Sequence, residues 1–442
     1  MSAPRTAVVG GGLLGLTAAY RLTRAGHPAV VYERAAQVGG LAASADLDGI
    51  PVDRFYHVVL PTDDRVRGLA EELGLADRFR FRRTGVGFYH DGRLASMSSL
   101  RELLSFPALR AVDRVRLGAF VARCQMIREH ADLDREPLER WLRRMCGERL
   151  WEGLWRPLLD SKFDGRYDDL PATYLWARTR RMSRTRDRTS HEVMGTIDGG
   201  YQMLADALAD AIRAAGGEVR TETPVRRIAE AGGRAVGVVT DSGLEAYDQV
   251  LSTLIPPQGE RLLPPALAAA AGPDRCRYLG VVCLVMRLRR SISPYYALNL
   301  TDRRVALTTV VETTHVVNPE RVGGTLIYAP RYVNPDAEDL ERSSLQIRRD
   351  YLRRVQAIFP SLRDDDVLAM QVARSRVAEP VHVLGHAGRP ADLFPAPGLA
   401  LASTAQIYPE LVNGQAVVGV ADRVAEGLIE RLDATSREER AA

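Results

Sequence analysis

The sequence predicts an α/β protein built from two interleaved domains, and three observations carry that expectation. The chain has 442 residues, too many for one hydrophobic core, which stops growing at roughly 250–300 residues. Residues 6–34 read as strand, glycine-rich turn, helix and strand, the opening of a parallel α/β sheet. Similar segments return only near 195–257 and 397–431, with long, unlike stretches between them. The expected fold is therefore a Rossmann-type dinucleotide-binding domain from residues 1–60, 191–257 and 390–442, interleaved with an α+β domain (a mixed sheet with helices) from residues 61–190 and 258–389.

In the first element, "TAVV" reads as a short buried strand, and Gly10, Gly12 and Gly15 complete G-x-G-x-x-G. Gly10 permits the tight turn, Gly12 lets backbone approach a pyrophosphate, and Gly15 lets the following helix pack closely. The helix begins at Leu13 and Leu14, where unpaired N–H groups and a positive dipole end favour phosphate. Its periodicity stops at Gly26, a C-cap residue, and "PAVVYE" forms a second strand ending in Glu33. Glu33 lies 18 residues beyond Gly15, close to the spacing of a carboxylate that holds ribose hydroxyls. The strand before and the acid after make the glycine motif specific.

"ERAAQVGGLAAS" follows, carrying Glu33, Arg34, Gly39, Gly40 and Leu41. It resembles the E-R-x-x-x-x-G-G signature of the superfamily of flavin amine oxidases, protoporphyrinogen oxidase, phytoene desaturases and UDP-galactopyranose mutase. The resemblance implies FAD, with the glycine pair adding backbone contacts to its pyrophosphate. Amine oxidases usually carry Arg after the pair; Leu41 departs from that pattern. The segment 195–228 resembles the family's return to its FAD domain, which implies that Val225 sits against the adenine. "PGLALASTAQIYPELVNGQAVVGVADRVAEGLIERL" resembles the last FAD segment, with Val417, Val418, Ala421, Val424, Leu428 and Ile429 on one helix face. The family's Gly-Asp is replaced there by Ser403 and Thr404, and Val412 and Asn413 precede the helix that, in relatives, points at the flavin pyrimidine. No Cys or His lies in that segment between 397 and 432, so FAD is expected to bind non-covalently.

The stretch 61–190 reads mostly as helices, and 258–389 alternates like strands before returning to helix. This matches the superfamily's substrate domain, which roofs the flavin. "DRFYHVVLPTDD", "WRPLLDSKF", "LIYAPRYVNPD" and "AQIYPE" resemble a narrower branch, protoporphyrinogen-oxidase-like flavin oxidoreductases of bacterial biosynthetic clusters. The implied activity is an oxidase or dehydrogenase taking a hydride from a C–N or C–C bond of a small biosynthetic intermediate. A redox-neutral mutase acting on a nucleotide sugar is the alternative, and a non-catalytic FAD-binding partner protein a third reading. No second G-x-G-x-x-G offers a nicotinamide site, so oxygen or another external molecule is the expected electron acceptor.

Four residues are candidates for chemistry. Lys162 is the single lysine among 60 Lys and Arg. An ammonium is a compact donor whose pKa falls on burial, whereas Arg stays planar and charged; the competing reading is an exposed lysine that drift has left in place. His57 follows the second FAD segment and suits a base or substrate ligand, or else a histidine bonded to backbone. Tyr328 and Arg331 of "YAPRY" lie at a strand end, where Arg331 suits a carboxylate or phosphate, or else pairs with Asp336 or Glu338. Tyr408 and Glu410 are placed to close the pocket.

The formal charge of +4 is spread along the chain without a basic block, which argues against nucleic acid as a partner. The expected partner is a small-molecule substrate, and a homo-oligomer is compatible with the sequence. Cys124, Cys146, Cys276 and Cys283 show no C-x-x-C pair and no neighbouring His cluster, so neither a metal site nor a disulfide framework is expected. An apolar strand within six residues of the start leaves no room for a leader, and apolar windows are too short to span a membrane, so the expected location is the cytoplasm.

Overall fold

The computed structural model describes residues 5–96, 110–183, 192–302, 304–386 and 392–441. A five-stranded, all-parallel sheet runs in the order Leu399–Leu401, Gln249–Ser252, Thr6–Val9, Ala29–Tyr32, Glu218–Arg220. Thr6–Val9 and Ala29–Tyr32 are buried throughout, which is why they read as unbroken apolar runs. Helices Leu13–Arg24, Tyr201–Ala214 and Gly414–Ala441 cover one face through Leu16, Leu204, Leu208, Val424 and Leu428. An antiparallel meander, Arg227–Ala231, Arg234–Thr240 and Gly243–Ala246, covers the other through Ile228 and Val238. This is the Rossmann-type layer arrangement that the sequence predicts.

A seven-stranded mixed sheet stands against it, ordered Val367–His382, Cys276–Leu288, Thr325–Val333, Thr309–Glu312, Ala297–Leu300, Val86–His90, Arg93–Ser96. Helix Ser344–Ile358 packs Ile347, Tyr351 and Val355 on one face. The other face lays Cys283, Val285 and Tyr328 on Leu47, Val52 and Leu60, the stretch that follows the glycine pair. Between Ala111 and Ser183 a helical block buries Phe120, Trp141, Trp151 and Trp176 and meets the sheet at Leu279 and Val381. A π-helical turn, Trp151–Trp155, leads into helix Arg156–Phe163, which ends where Asp164 adopts the left-handed φ of 50°.

The structure departs from the sequence reading in four places. Residues 79–96 form three strands inside the stretch read as mostly helical, and two of them extend the large sheet. Residues 195–197, which open the segment 195–228 and read as loop, end a strand Glu192–Ile197 that pairs with Phe79–Thr84. Val367–His382 is an edge strand where a return to helix is expected, its alternation masked because one side lacks a neighbouring strand. The last helix runs to Ala441, into the tail "ATSREERAA" that lacks apolar periodicity and reads as frayed; Ala, Arg and Glu are good helix formers. The helix expected over 101–127 is described from Ala111 only, and its start lies outside the described residues.

Candidate active site

Gly10, at a φ of 110°, joins the first strand to the first helix with a backbone angle that side chains rarely adopt. A Cβ at Gly15 would overlap the Gly10 carbonyl oxygen, so glycine alone lets the helix lie this close. Nothing stands within 4 Å of a Cβ placed on Gly12, so the turn presents bare backbone to open space beside the helix start at Leu13 and Leu14. The second glycine pair sits on the first. Gly39 N–H donates to the Gly11 carbonyl at 2.8 Å, and a Cβ on Gly40 would come 3.3 Å from the Gly12 Cα. Leu41 stays exposed at the rim.

Glu33 closes the motif. Its carboxylate accepts from Gly11 N–H and Ala35 N–H, both at 2.9 Å, and exposed Arg34 follows it. Thr223 N–H donates to the Glu33 carbonyl at 2.9 Å, which brings the loop with half-buried Val225 to the same sheet end. Bare glycine backbone, helix N–H groups and an acid at the end of the neighbouring strand, beside the turn, fit a dinucleotide: pyrophosphate at the turn, ribose at Glu33.

At the opposite end of the groove the long helix starts at Gly414, where a Cβ would come 2.5 Å from the Tyr201 hydroxyl. Asn413 caps it, Oδ1 accepting from Ala416 N–H at 3.1 Å, and Val412 packs beneath. Ser403 is buried and its hydroxyl accepts from Ala405 N–H at 3.1 Å, so Ser403 and Thr404 form a closed turn leading to this cap.

Two clefts flank the large sheet. One, of about 500 Å³, is lined by Asp53, Tyr56, His57, Gly200 and Tyr328 among others. His57 lies tilted against Tyr201, ring centres 5.1 Å apart, and its buried Nδ1 lies 3.8 Å from an Asp53 carboxylate oxygen without a hydrogen bond. Tyr328 donates its hydroxyl to the Asp53 carbonyl at 2.8 Å and so braces this segment against the large sheet. The other cleft, of about 450 Å³, lies between Phe163, Tyr174, Glu379 and the segment 407–412.

Tyr56 links the two clefts through a cluster of charged and phenolic groups. Lys162 Nζ donates to Glu379 Oε2 at 2.5 Å and sits 3.2 Å above the centre of the Tyr332 ring, a cation–π arrangement. Its side chain keeps 16% of its exposure. Burial lowers the Lys162 pKa below the ordinary lysine value, while Glu379 pulls it back up. Tyr56 lies beside Tyr332, and Tyr174 beside Arg178; burial raises all three phenols, which therefore remain protonated. Arg178 lies within electrostatic reach of Tyr174, Tyr56, Glu379 and Tyr332, and among the described residues it forms no ion pair.

The predicted residues divide sharply. Lys162 joins this cluster; His57 and Tyr328 line the neighbouring cleft. Arg331 does not join them, because successive strand residues face opposite ways and it shares a face with Ala329 and Val333. Its guanidinium pairs with Asp339 at 2.7 Å and Asp164 at 3.3 Å, in a network completed by the Tyr351 hydroxyl, and not with Asp336 or Glu338. Tyr408 and Glu410 line the second cleft. Glu379, Tyr56, Tyr174 and Arg178 are absent from the sequence-derived set. The i,i+4 spacing of Tyr174 and Arg178 on helix Thr173–Ser183 is a legible signal, whereas Glu379 lies on the edge strand that reads as helix.

With fold and groove in place, comparison with known proteins gives the family. The chain belongs to the flavin containing amine oxidoreductase family, whose profile matches residues 15–417. It is 29% identical over 261 residues to "Putative flavin-containing monoamine oxidase AofH" of Mycobacterium tuberculosis, covering 57% of this chain and 56% of that protein. It is 22% identical to the 15-cis-phytoene desaturase of Synechococcus elongatus, covering 56% of this chain and 55% of that one. The chain thus spans about half the length of these curated relatives. The crystal structure titled "Putative protoporphyrinogen oxidase" from Exiguobacterium sp. 255-15 shares the fold, with a TM-score of 0.76 at 21% identity over 98% of this chain and 100% of that one. Among the described residues no helix is long and apolar enough to cross a membrane.

Proposed function

We propose that the protein binds FAD non-covalently and oxidises a small biosynthetic intermediate at a C–N or C–C bond. The observation that carries this reading is the Lys162–Glu379 pair, flanked by Tyr56, Tyr174 and Tyr332 with the exposed Arg178 guanidinium within electrostatic reach of Glu379. When bound, FAD supplies the hydride acceptor. Gly10, Gly12, Gly15, Gly39 and Gly40 would hold its pyrophosphate, Glu33 its ribose, and the loop at Val225 its adenine. The N-terminus of helix Gly414–Ala441, capped by Asn413, would set its positive dipole end at the flavin.

The remaining residues handle the substrate and its proton. Oxidation of a C–N bond to C=N sheds one proton as the hydride leaves carbon. The Lys162–Glu379 pair, already sharing a hydrogen bond, accepts that proton with a small rearrangement of charge. Arg178, charged and unpaired among the described residues, recognises an anionic or carbonyl oxygen of the substrate. The protonated phenols of Tyr56 and Tyr332 orient neighbouring polar atoms. Residues 1–60, 191–257 and 390–442 would serve the cofactor, and 61–190 and 258–389 the substrate. The mutase reading loses the support of Arg331, whose charge is committed to Asp339 and Asp164.

The test is a substrate screen with Arg178→Leu beside the wild type. With a substrate carrying a carboxylate, KM should rise at least about tenfold in the variant, about 1.4 kcal/mol of binding, with flavin content unchanged. An unchanged KM for every turned-over substrate would remove Arg178 from the reading.

A further inference from the structure

The scattered cysteines lead the sequence reading to expect no metal site, yet the fold assembles a cluster from residues more than a hundred positions apart. Cys276 opens one strand of the large sheet and His382 closes its edge neighbour, and the two residues face each other in the antiparallel register. His386 follows in the next turn. One donor atom from each of Cys276, His382 and His386 lies within 4.8 Å of the others.

Two details point to a ligand. His386 is buried to 9% exposure, and its Nδ1 has no hydrogen-bond partner. A buried imidazole nitrogen without a partner is costly, and a cation would satisfy it. His382, by contrast, is oriented: its Nε2 lies 2.8 Å from the Ala405 carbonyl. With the proton on Nε2 as the donor in that bond, Nδ1 keeps its lone pair, the arrangement in which metal-binding histidines are commonly held by backbone carbonyls. Tyr408 walls the cluster, its ring centre 5.0 Å from His382 and 5.1 Å from His386, and its hydroxyl donates to Asp134.

We propose that Cys276, His382 and His386 form a binding site for a borderline-soft divalent cation, for which Zn2+ is the fitting probe. One thiolate and two imidazoles are donors that zinc favours, and a water completes a tetrahedron. Tetrahedral coordination needs donor separations of roughly 3.5 Å, a small contraction that side-chain rotation provides. Binding forms one Zn–S and two Zn–N bonds and releases the Cys276 thiol proton to solvent. His382 also lines the second cleft, which gives the ion a way in. The ion would tie the edge of the large sheet, through the Ala405 carbonyl, to the segment leading into the helix at Gly414.

The flavin-loaded full-length protein, stripped with a chelator, is titrated with Zn2+ against a chromophoric competitor. One Zn2+ per chain is expected, with affinity falling at least about tenfold in Cys276→Ser and in His386→Gln and unchanged in Cys283→Ser, whose sulfur is buried elsewhere in the sheet. A second measurement needs no variant: Zn2+ should block alkylation of Cys276, mapped by mass spectrometry. Sub-stoichiometric binding, equal affinity in all four proteins, or Cys276 labelling indifferent to Zn2+ would overturn the site.

Discussion

Lys162 is the position where residue-level chemistry is sharpest. Arg stands at every other basic position that is not histidine, yet here the cation lies 3.2 Å over a tyrosine ring and 2.5 Å from a carboxylate. A guanidinium is too broad and too rigid for that seat, and it cannot give up its proton. Lys162→Arg should therefore retain flavin but lower turnover at least about tenfold, about 1.4 kcal/mol of barrier; steady-state kinetics beside a flavin spectrum checks it. The lowered pKa gives a pH signature as well. Because burial weakens proton binding in the folded state, the unfolded chain holds the proton more tightly, and stability rises from the lowered pKa up to the ordinary 10.5. Chemical denaturation across that interval should show the wild type gaining stability relative to Lys162→Met, a difference that cancels the buried thiols and phenols common to both proteins. Arg331 makes the contrast. Arg331→Met should cost about 1–3 kcal/mol of stability, since Asp339 loses one charged partner but keeps Arg342 and the Tyr351 hydroxyl, while the rate of flavin reduction by substrate stays within about twofold.

Elements decide how much of this was legible. The strand–glycine–helix–acid unit announces itself because four physical needs fall within 28 residues, Thr6 to Glu33, and each dictates a residue type. The two motif glycines separate fold from ligand. Gly12→Ala places its methyl in open space, so the protein should fold with wild-type secondary structure yet hold FAD at least about tenfold more weakly. Gly15→Ala drives a methyl into the Gly10 carbonyl and should lose both stability and flavin; circular dichroism with a flavin titration distinguishes the two. Val367–His382 was illegible for a physical reason. An edge strand half in solvent carries Arg, Ser, Gln and Glu among its apolar residues, and that mixture lacks the period of two that marks a buried strand. Glu379, the Lys162 partner, and His382, the zinc ligand proposed, were lost with it. The face of Arg331 was equally hidden, since "YAPRY" names the strand but only the sheet register says which side chains look inward.

At the scale of the whole molecule, a parallel sheet presents its glycine turn and helix ends to one groove, and the large sheet with the helical block closes over that groove. The stretch Leu47–Leu60 is the joint, packed against Cys283, Val285 and Tyr328 and pinned by the Tyr328 hydroxyl. Through it the glycine-turn groove and the Lys162 cluster share one wall, the arrangement that the proposed hydride transfer from an enclosed substrate requires. The most direct test of that claim is anaerobic mixing of the purified, flavin-loaded protein with amines, carboxylated amines and other small biosynthetic intermediates while its visible spectrum is followed. The account predicts that at least one such compound bleaches the flavin band without added reductant, and more slowly in Lys162→Arg and Arg178→Leu. A protein that takes up no FAD, or whose flavin only a chemical reductant bleaches, would contradict it.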